Sequence, residues 1–208
     1  MTFPLPDVTL AQVLQRLAAA AIVAGVYGYV VAAAAALSGD RGPTFDGRRT
    51  LNPLDHADVL GVLAAVFYRV TWVRPLDVDF SSLKRPRLAP IVIVLASVVA
   101  MVALAALAVF LRQVVATRLV LTAALQVTAV LTATAEVALA TAVIGLLPVP
   151  PLLGSVLWGA VVPGAERHLR DRRVLIAGYA LVLVLLVSGL ALAVARSVWR
   201  GFFGLLGF

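Results

Sequence analysis

Cysteine is absent from this chain, lysine occurs once and histidine twice, and charged residues make up only 13% of its 208 positions. Without cysteine there is no disulfide framework, no thiolate nucleophile and no thiolate metal site. The scarcity of charge stands beside 62% hydrophobic residues. Globular domains run at roughly half apolar and a quarter charged, so lipid rather than water is expected to be the main solvent. At the start, MTFPLPDVTLAQVLQRL places Pro4, Pro6 and Asp7 where a secretory signal would carry positive charge. The first apolar segment is therefore expected to be retained.

What is present is a set of apolar runs bounded by arginine. A spanning helix needs roughly 20 apolar residues, and the runs 17–37, 88–111, 119–147 and 174–195 qualify. The run 59–70 is too short to cross and is expected to enter and return as a re-entrant or interfacial helix. After it, Trp72, Val73, Leu76, Val78 and Phe80 interleave with Arg74, Asp77 and Asp79, which predicts a short extended segment at the interface. The prolines of PVPPLLG, 148–154, forbid regular helix. A half-length apolar piece, 155–162, follows, and the tail RSVWRGFFGLLGF reads as an aromatic interfacial anchor. The expected fold is an all-α integral membrane protein with about four transmembrane helices, a re-entrant or interfacial helix and a proline-broken helix. Its expected divisions are an N-terminal interfacial segment, 1–16, a membrane core, 17–173, and a C-terminal transmembrane helix with aromatic tail, 174–208.

The net charge of +7 would suggest nucleic acid in a soluble protein. Here the arginines sit at helix ends, where they anchor headgroups and set orientation, and no nucleic-acid partner is expected. Four crossings put both termini on one side. The loops 38–87 and 148–173 then hold 12 basic residues, against 5 on the other side: Arg16, Arg112, Arg118, Arg196 and Arg200. The positive-inside rule places the two long loops of this multi-pass membrane protein in the cytoplasm.

Three segments together resemble the intramembrane site-2 metalloproteases, in particular their small bacterial branch. GDRGPTFDGRRTLNPLDHADVLG, 39–61, is similar to that branch's GD, spacer, G-R-x-T-L-N-P and H-x-D pattern. TWVRPLDVDFSSLKRPR, 71–87, is similar to its W-[AV]-[KR]-P-[VL]-x-V stretch, and GLLPVPPLLG, 145–154, to its N-L-L-P-I-P-P-L-D-G. The resemblance covers about residues 20–165 and implies a site-2 protease-like core.

Those proteases hold zinc with the two histidines of H-E-x-x-H and a distant aspartate, the glutamate acting as general base. Two imidazoles one helical turn apart can face one ion, and a carboxylate can deprotonate its water. The resemblance places those positions at Tyr27, Gly28, Val31 and Leu153, none of which ligates zinc or takes a proton at neutral pH. The family's N-L-L-P asparagine falls at Gly145, and its A-G-P-x-x-N reads Ala96, Ser97, Val98 and Met101. On this reading the former zinc positions are degenerate, and no catalytic residue, metal or cofactor is carried over.

Two polar groups remain as candidates. His56 and Asp58 form an i, i+2 pair that is either a two-ligand metal fragment, with His168 approaching from the charged loop, or a set of hydrogen bonds tying the loop to nearby helix ends. Glu136 lies deep in an apolar run, where a charge is costly and a function is the default expectation. At helical spacing it joins Thr122, Gln126, Ala129, Ala133 and Ala140 in a stripe suited to packing on protein. That stripe is an internal helix contact, a docking face or part of a proton route.

The sequence thus predicts a chain that is not an enzyme: a non-catalytic site-2 protease-like scaffold. It would be an accessory, assembly or stabilising subunit of a larger membrane complex, such as a respiratory or photosynthetic one, with other integral membrane subunits and lipid as partners. The alternatives are an intramembrane zinc metalloprotease with atypical ligands and a small transporter.

Overall fold

The computed structural model describes residues 8–162, 164–169 and 171–205. Most of the expected interfacial segment's first residues, 1–7, the loop arginine Arg170 and the last three tail residues lie outside the described residues.

Helix α1, Leu10–Ser38, begins at a capping box in which Thr9 and Gln12 satisfy each other's backbone N–H groups. It starts well before the apolar run does. It ends at Gly39, whose φ of 122° only glycine adopts without strain. A short helix α2, Gly42–Phe45, opens the loop. Helix α3, Val59–Tyr68, is capped by the Asp58 side chain and terminated by Arg69 in the left-handed region. Helices α4, Ala89–Arg118, and α5, Leu121–Ile144, form a hairpin turning at Leu119 and Val120. Among the described residues, α1, α4 and α5 are the helices long and apolar enough to cross a membrane. They pack on one another around Val23, Ile93, Met101, Ala105 and Val137. The seam is rich in alanine, which lets helix backbones approach closely. The opposite side of α4 turns Leu95, Val99 and Phe110 outward, as a lipid-facing surface requires.

The short run at 59–70 does enter between the long helices and return. The Arg16 guanidinium of α1 donates to the carbonyl of Val66, so α3 reaches down beside the first turns of α1. The chain comes back extended. Val73 forms an isolated antiparallel bridge with Ala57, and the Arg74 N–H donates to the His56 carbonyl at 2.8 Å.

The proline segment turns into a 3-10 helix, Leu153–Leu157, then α6, Trp158–Val161, and α7, Ala165–Leu169. Beyond it the structure corrects the expected fourth span. The run 174–195 is divided into α8, Arg172–Val187, and α9, Leu190–Leu205. The break falls at Ser188 and Gly189, the latter at φ 75°. At 16 residues, α8 is about 24 Å long, shorter than a typical hydrocarbon core of about 30 Å. The tail is corrected as well. Its described part is helical, packs on α5, and sets Trp199 and Phe202 against the main core.

Candidate functional site

The four positions that the resemblance picks out come together. Tyr27, Gly28, Val31 and Leu153 line one narrow slot of about 40 Å³, with Thr71, Thr141 and Ser155 at its edges. The first three share the inner face of α1, one turn apart, and Leu153 is brought in by the proline turn.

Glycines at two of the family's polar positions face large side chains. A Cβ on Gly28 would lie 2.1 Å from Cγ of His56, so the imidazole fills the space where the family's glutamate would begin. A Cβ on Gly145 would lie 3.0 Å from the Tyr27 hydroxyl, so the phenol stands against the position of the family's asparagine. Met101 and Ser97, from the family's middle helix, are buried. The Ser97 hydroxyl donates to the Val94 carbonyl at 2.7 Å.

The slot opens beside a wider groove of about 440 Å³ that shares Pro75, Leu76, Pro151, Ser155 and Val156 with it. One wall is the loop 75–78, which turns tightly where the Val78 N–H donates to the Leu76 carbonyl at 3.1 Å, and the other the proline turn. Thr71 and Thr141 pin the chain that leads into that loop to α5: the Thr71 N–H donates to the Thr141 hydroxyl at 3.2 Å, and that hydroxyl donates to the Thr71 carbonyl at 3.0 Å. Arg48 clamps the loop's first residue and the one before it, donating to the carbonyls of Pro75 and Arg74 at 3.1 and 2.9 Å. Burial and the neighbouring Arg74 push the Arg48 guanidinium below its usual range. Arg48 is therefore part of the site's frame, where the sequence reading made it a headgroup anchor.

His56 and Asp58 act as ties. His56 is buried, and its Nε2 is 2.8 Å from the Thr50 carbonyl, which makes Nε2 the protonated nitrogen and leaves the buried Nδ1 without a partner among the described residues. Asp58 accepts from the Gly61 N–H at 3.0 Å and from the Tyr179 hydroxyl at 2.6 Å, joining α3 to α8. His168 is exposed on α7. No three His, Cys, Asp or Glu side chains converge among the described residues.

Glu136 lies elsewhere, in an ion pair with Arg69 at 2.9 Å. Gln126 accepts from the Gln15 amide at 3.1 Å, so two members of the polar stripe are engaged within the chain. Reasoning from sequence missed Arg69 as the partner of Glu136. Its only signal was a basic residue ending the one apolar run too short to cross.

Zinc in this slot would need imidazole, carboxylate or thiolate donors. The lining offers the Tyr27 phenol, the hydroxyls of Thr71, Thr141 and Ser155, and the guanidinium groups of Arg48 and Arg74. These do not fit a zinc site.

No family model and no solved structure matches the chain. Among curated proteins it is 30% identical over 156 residues to the Bacillus subtilis (strain 168) protein named "Putative zinc metalloprotease YwhC", a match covering 73% of this chain and 70% of that protein. The expectation that the chain is not an enzyme is corrected by this relative, whose name points to a protease. The shared length and the meeting of the motif segments around one slot agree: the chain belongs to the site-2 protease-like zinc metalloprotease family.

Proposed function

We propose that this chain is a protein of the bacterial inner membrane that takes a segment of another integral membrane protein into the groove between the run 75–78 and the proline turn. The observation that carries this reading is the continuity of that groove with the slot at Tyr27, Gly28, Val31 and Leu153. A segment lying along the groove meets the clamped loop 75–78 on one side and apolar Pro150, Pro151 and Val156 on the other. One of its side chains can enter the slot. Pockets beside a held backbone select the side chains of a bound segment. Peptide-bond hydrolysis, the activity in the relative's name, is the reaction such capture would serve.

The test is a photo-crosslinking amino acid at Leu76, in the groove, and at Val99, on the outer side of α4. A defined membrane protein crosslinked at Leu76 and not at Val99 is the expected result. Equal yields at both positions would overturn the reading. Incubating the purified chain and the captured protein with zinc and with chelator then separates the fates: fragments that vanish with chelator assign hydrolysis, and an intact partner assigns holding.

A further inference from the structure

The Arg69–Glu136 ion pair sits at a depth that hydrocarbon does not tolerate. Glu136 is fifteen residues past Leu121, where the 24-residue α5 begins, hence about 22 Å along a helix of about 36 Å. The side chains of the pair are nonetheless 50% and 24% exposed. Both line one cavity of about 550 Å³ between α1, α4 and α5. This cavity shares no lining residue with the slot or with the groove beside it.

Charged groups at this depth face protein or a water-filled space, because lipid tails strongly disfavour them. Non-helical backbone inside a membrane is tolerated on the same terms, and α3 ends here, at Arg69 in the left-handed region, where the chain turns back. Polar side chains continue upward from the pair. Thr132 and Thr128 follow on α5, with Gln12 and Gln15 on the first turns of α1 and Gln113 near the end of α4. All three helices contribute from the end that carries the α4–α5 turn, so the cavity opens on that side. Past the pair the way is closed: Val70 and Val137 are fully buried, and Thr71 and Thr141 already belong to the slot.

We propose that this cavity is a water-filled vestibule, open on the side of the membrane that carries the α4–α5 turn and ending on the Arg69–Glu136 pair. It brings water and small hydrophilic solutes to the middle of the bilayer, and the pair is solvated from there. Val70 and Val137 stand between its floor and the slot. The vestibule does not depend on what the groove holds.

A thiol reports its surroundings directly in a chain without cysteine, because the thiolate is the reactive form and apolar surroundings suppress it. The test is the rate at which single-cysteine variants of the full chain, in membranes, react with the impermeant reagent 2-sulfonatoethyl methanethiosulfonate. Thr132→Cys and Ala133→Cys line the vestibule. Leu107→Cys is the control: Leu107 lies eleven residues before Arg118, as Thr132 lies eleven after Leu121, and it is 52% exposed on α4 outside the cavity. Both vestibule variants should react at least tenfold faster than Leu107→Cys, and from the side that labels Val120→Cys at the turn. Either one reacting as slowly as Leu107→Cys, or reacting from the side that labels Arg41→Cys beyond the far end of α1, would overturn the proposal. Size-exclusion profiles separate access from unfolding, and Thr132→Cys, which nearly conserves side-chain size, keeps the test decisive if Ala133→Cys does not fold.

Discussion

Gly28 and His56 occupy complementary volumes: the imidazole of the second sits where a side chain on the first would have to be, with 2.1 Å between a Gly28 Cβ and His56 Cγ. The loop carrying His56 is thereby keyed to the inner face of α1, next to the slot. Gly28→Ala must push the ring or the helix aside, and overpacking of this kind costs about 1–3 kcal/mol. In a chain of this length each kcal/mol lowers the melting temperature by roughly 2–4 °C. Adding His56→Ala to Gly28→Ala should recover stability relative to Gly28→Ala alone. A double variant no more stable than the single one would show that the contact is not the cause.

The Arg69–Glu136 pair invites a second measurement. Arg69's side chain is half-exposed, so the direct attraction is worth about 1 kcal/mol or less. Its removal should nevertheless be asymmetric, because Glu136→Ala leaves the Arg69 guanidinium beside Arg16 without the carboxylate it pairs with. The melting temperature of Glu136→Ala should fall further than that of the double variant Arg69→Ala/Glu136→Ala. Additive effects in that cycle would mean that the two groups act independently.

How much of this was legible in the sequence depended on range. The runs that became α1, α4 and α5 announced themselves by length and hydropathy, and the shortness of 59–70 announced its return. The division at Gly189 was hidden because hydropathy runs unbroken through Leu185, Leu186, Val187 and Leu190. A single positive φ decides whether such a run is one helix or two, and hydropathy carries no dihedral information. The slot was legible through motifs that place Tyr27, Gly28, Val31 and Leu153. The Arg69–Glu136 pair joins residues 67 positions apart, and His56 fills the space at Gly28 across a loop; local periodicity encodes neither.

Tyr179 and Asp58 give a third prediction. Their 2.6 Å hydrogen bond is a link from α8 to the base of α3, reinforced by the tilted contact of Tyr179 with Trp72, ring centroids 6.4 Å apart. Tyr179→Phe keeps the ring and loses the donor, leaving Asp58 to its cap bond with Gly61. Loss of about 1 kcal/mol is expected. Because the bond spans two elements, amide exchange should quicken in both α3 and α8. Faster exchange in α8 alone would show that the link does not hold α3.

The absence of cysteine makes orientation directly measurable, since any thiol introduced is the only one. Arg41, after α1, and Val120, at the turn of the α4–α5 hairpin, are both exposed and lie at opposite ends of the long helices. With the loop 38–87 in the cytoplasm, Val120→Cys should react with a membrane-impermeant maleimide on intact spheroplasts. Arg41→Cys should react only after permeabilisation. The basic-residue count behind this loses one member in the structure, because Arg69 is carried inward to Glu136. Setting aside Arg196 and Arg200, whose side depended on the fourth span that the structure divides, the excess is 11 to 3 by sequence position, enough to preserve the sign of the bias. The reverse labelling pattern would invert the protein and place Arg16, near the start of α1, and Arg112, near the end of α4, on the cytoplasmic side.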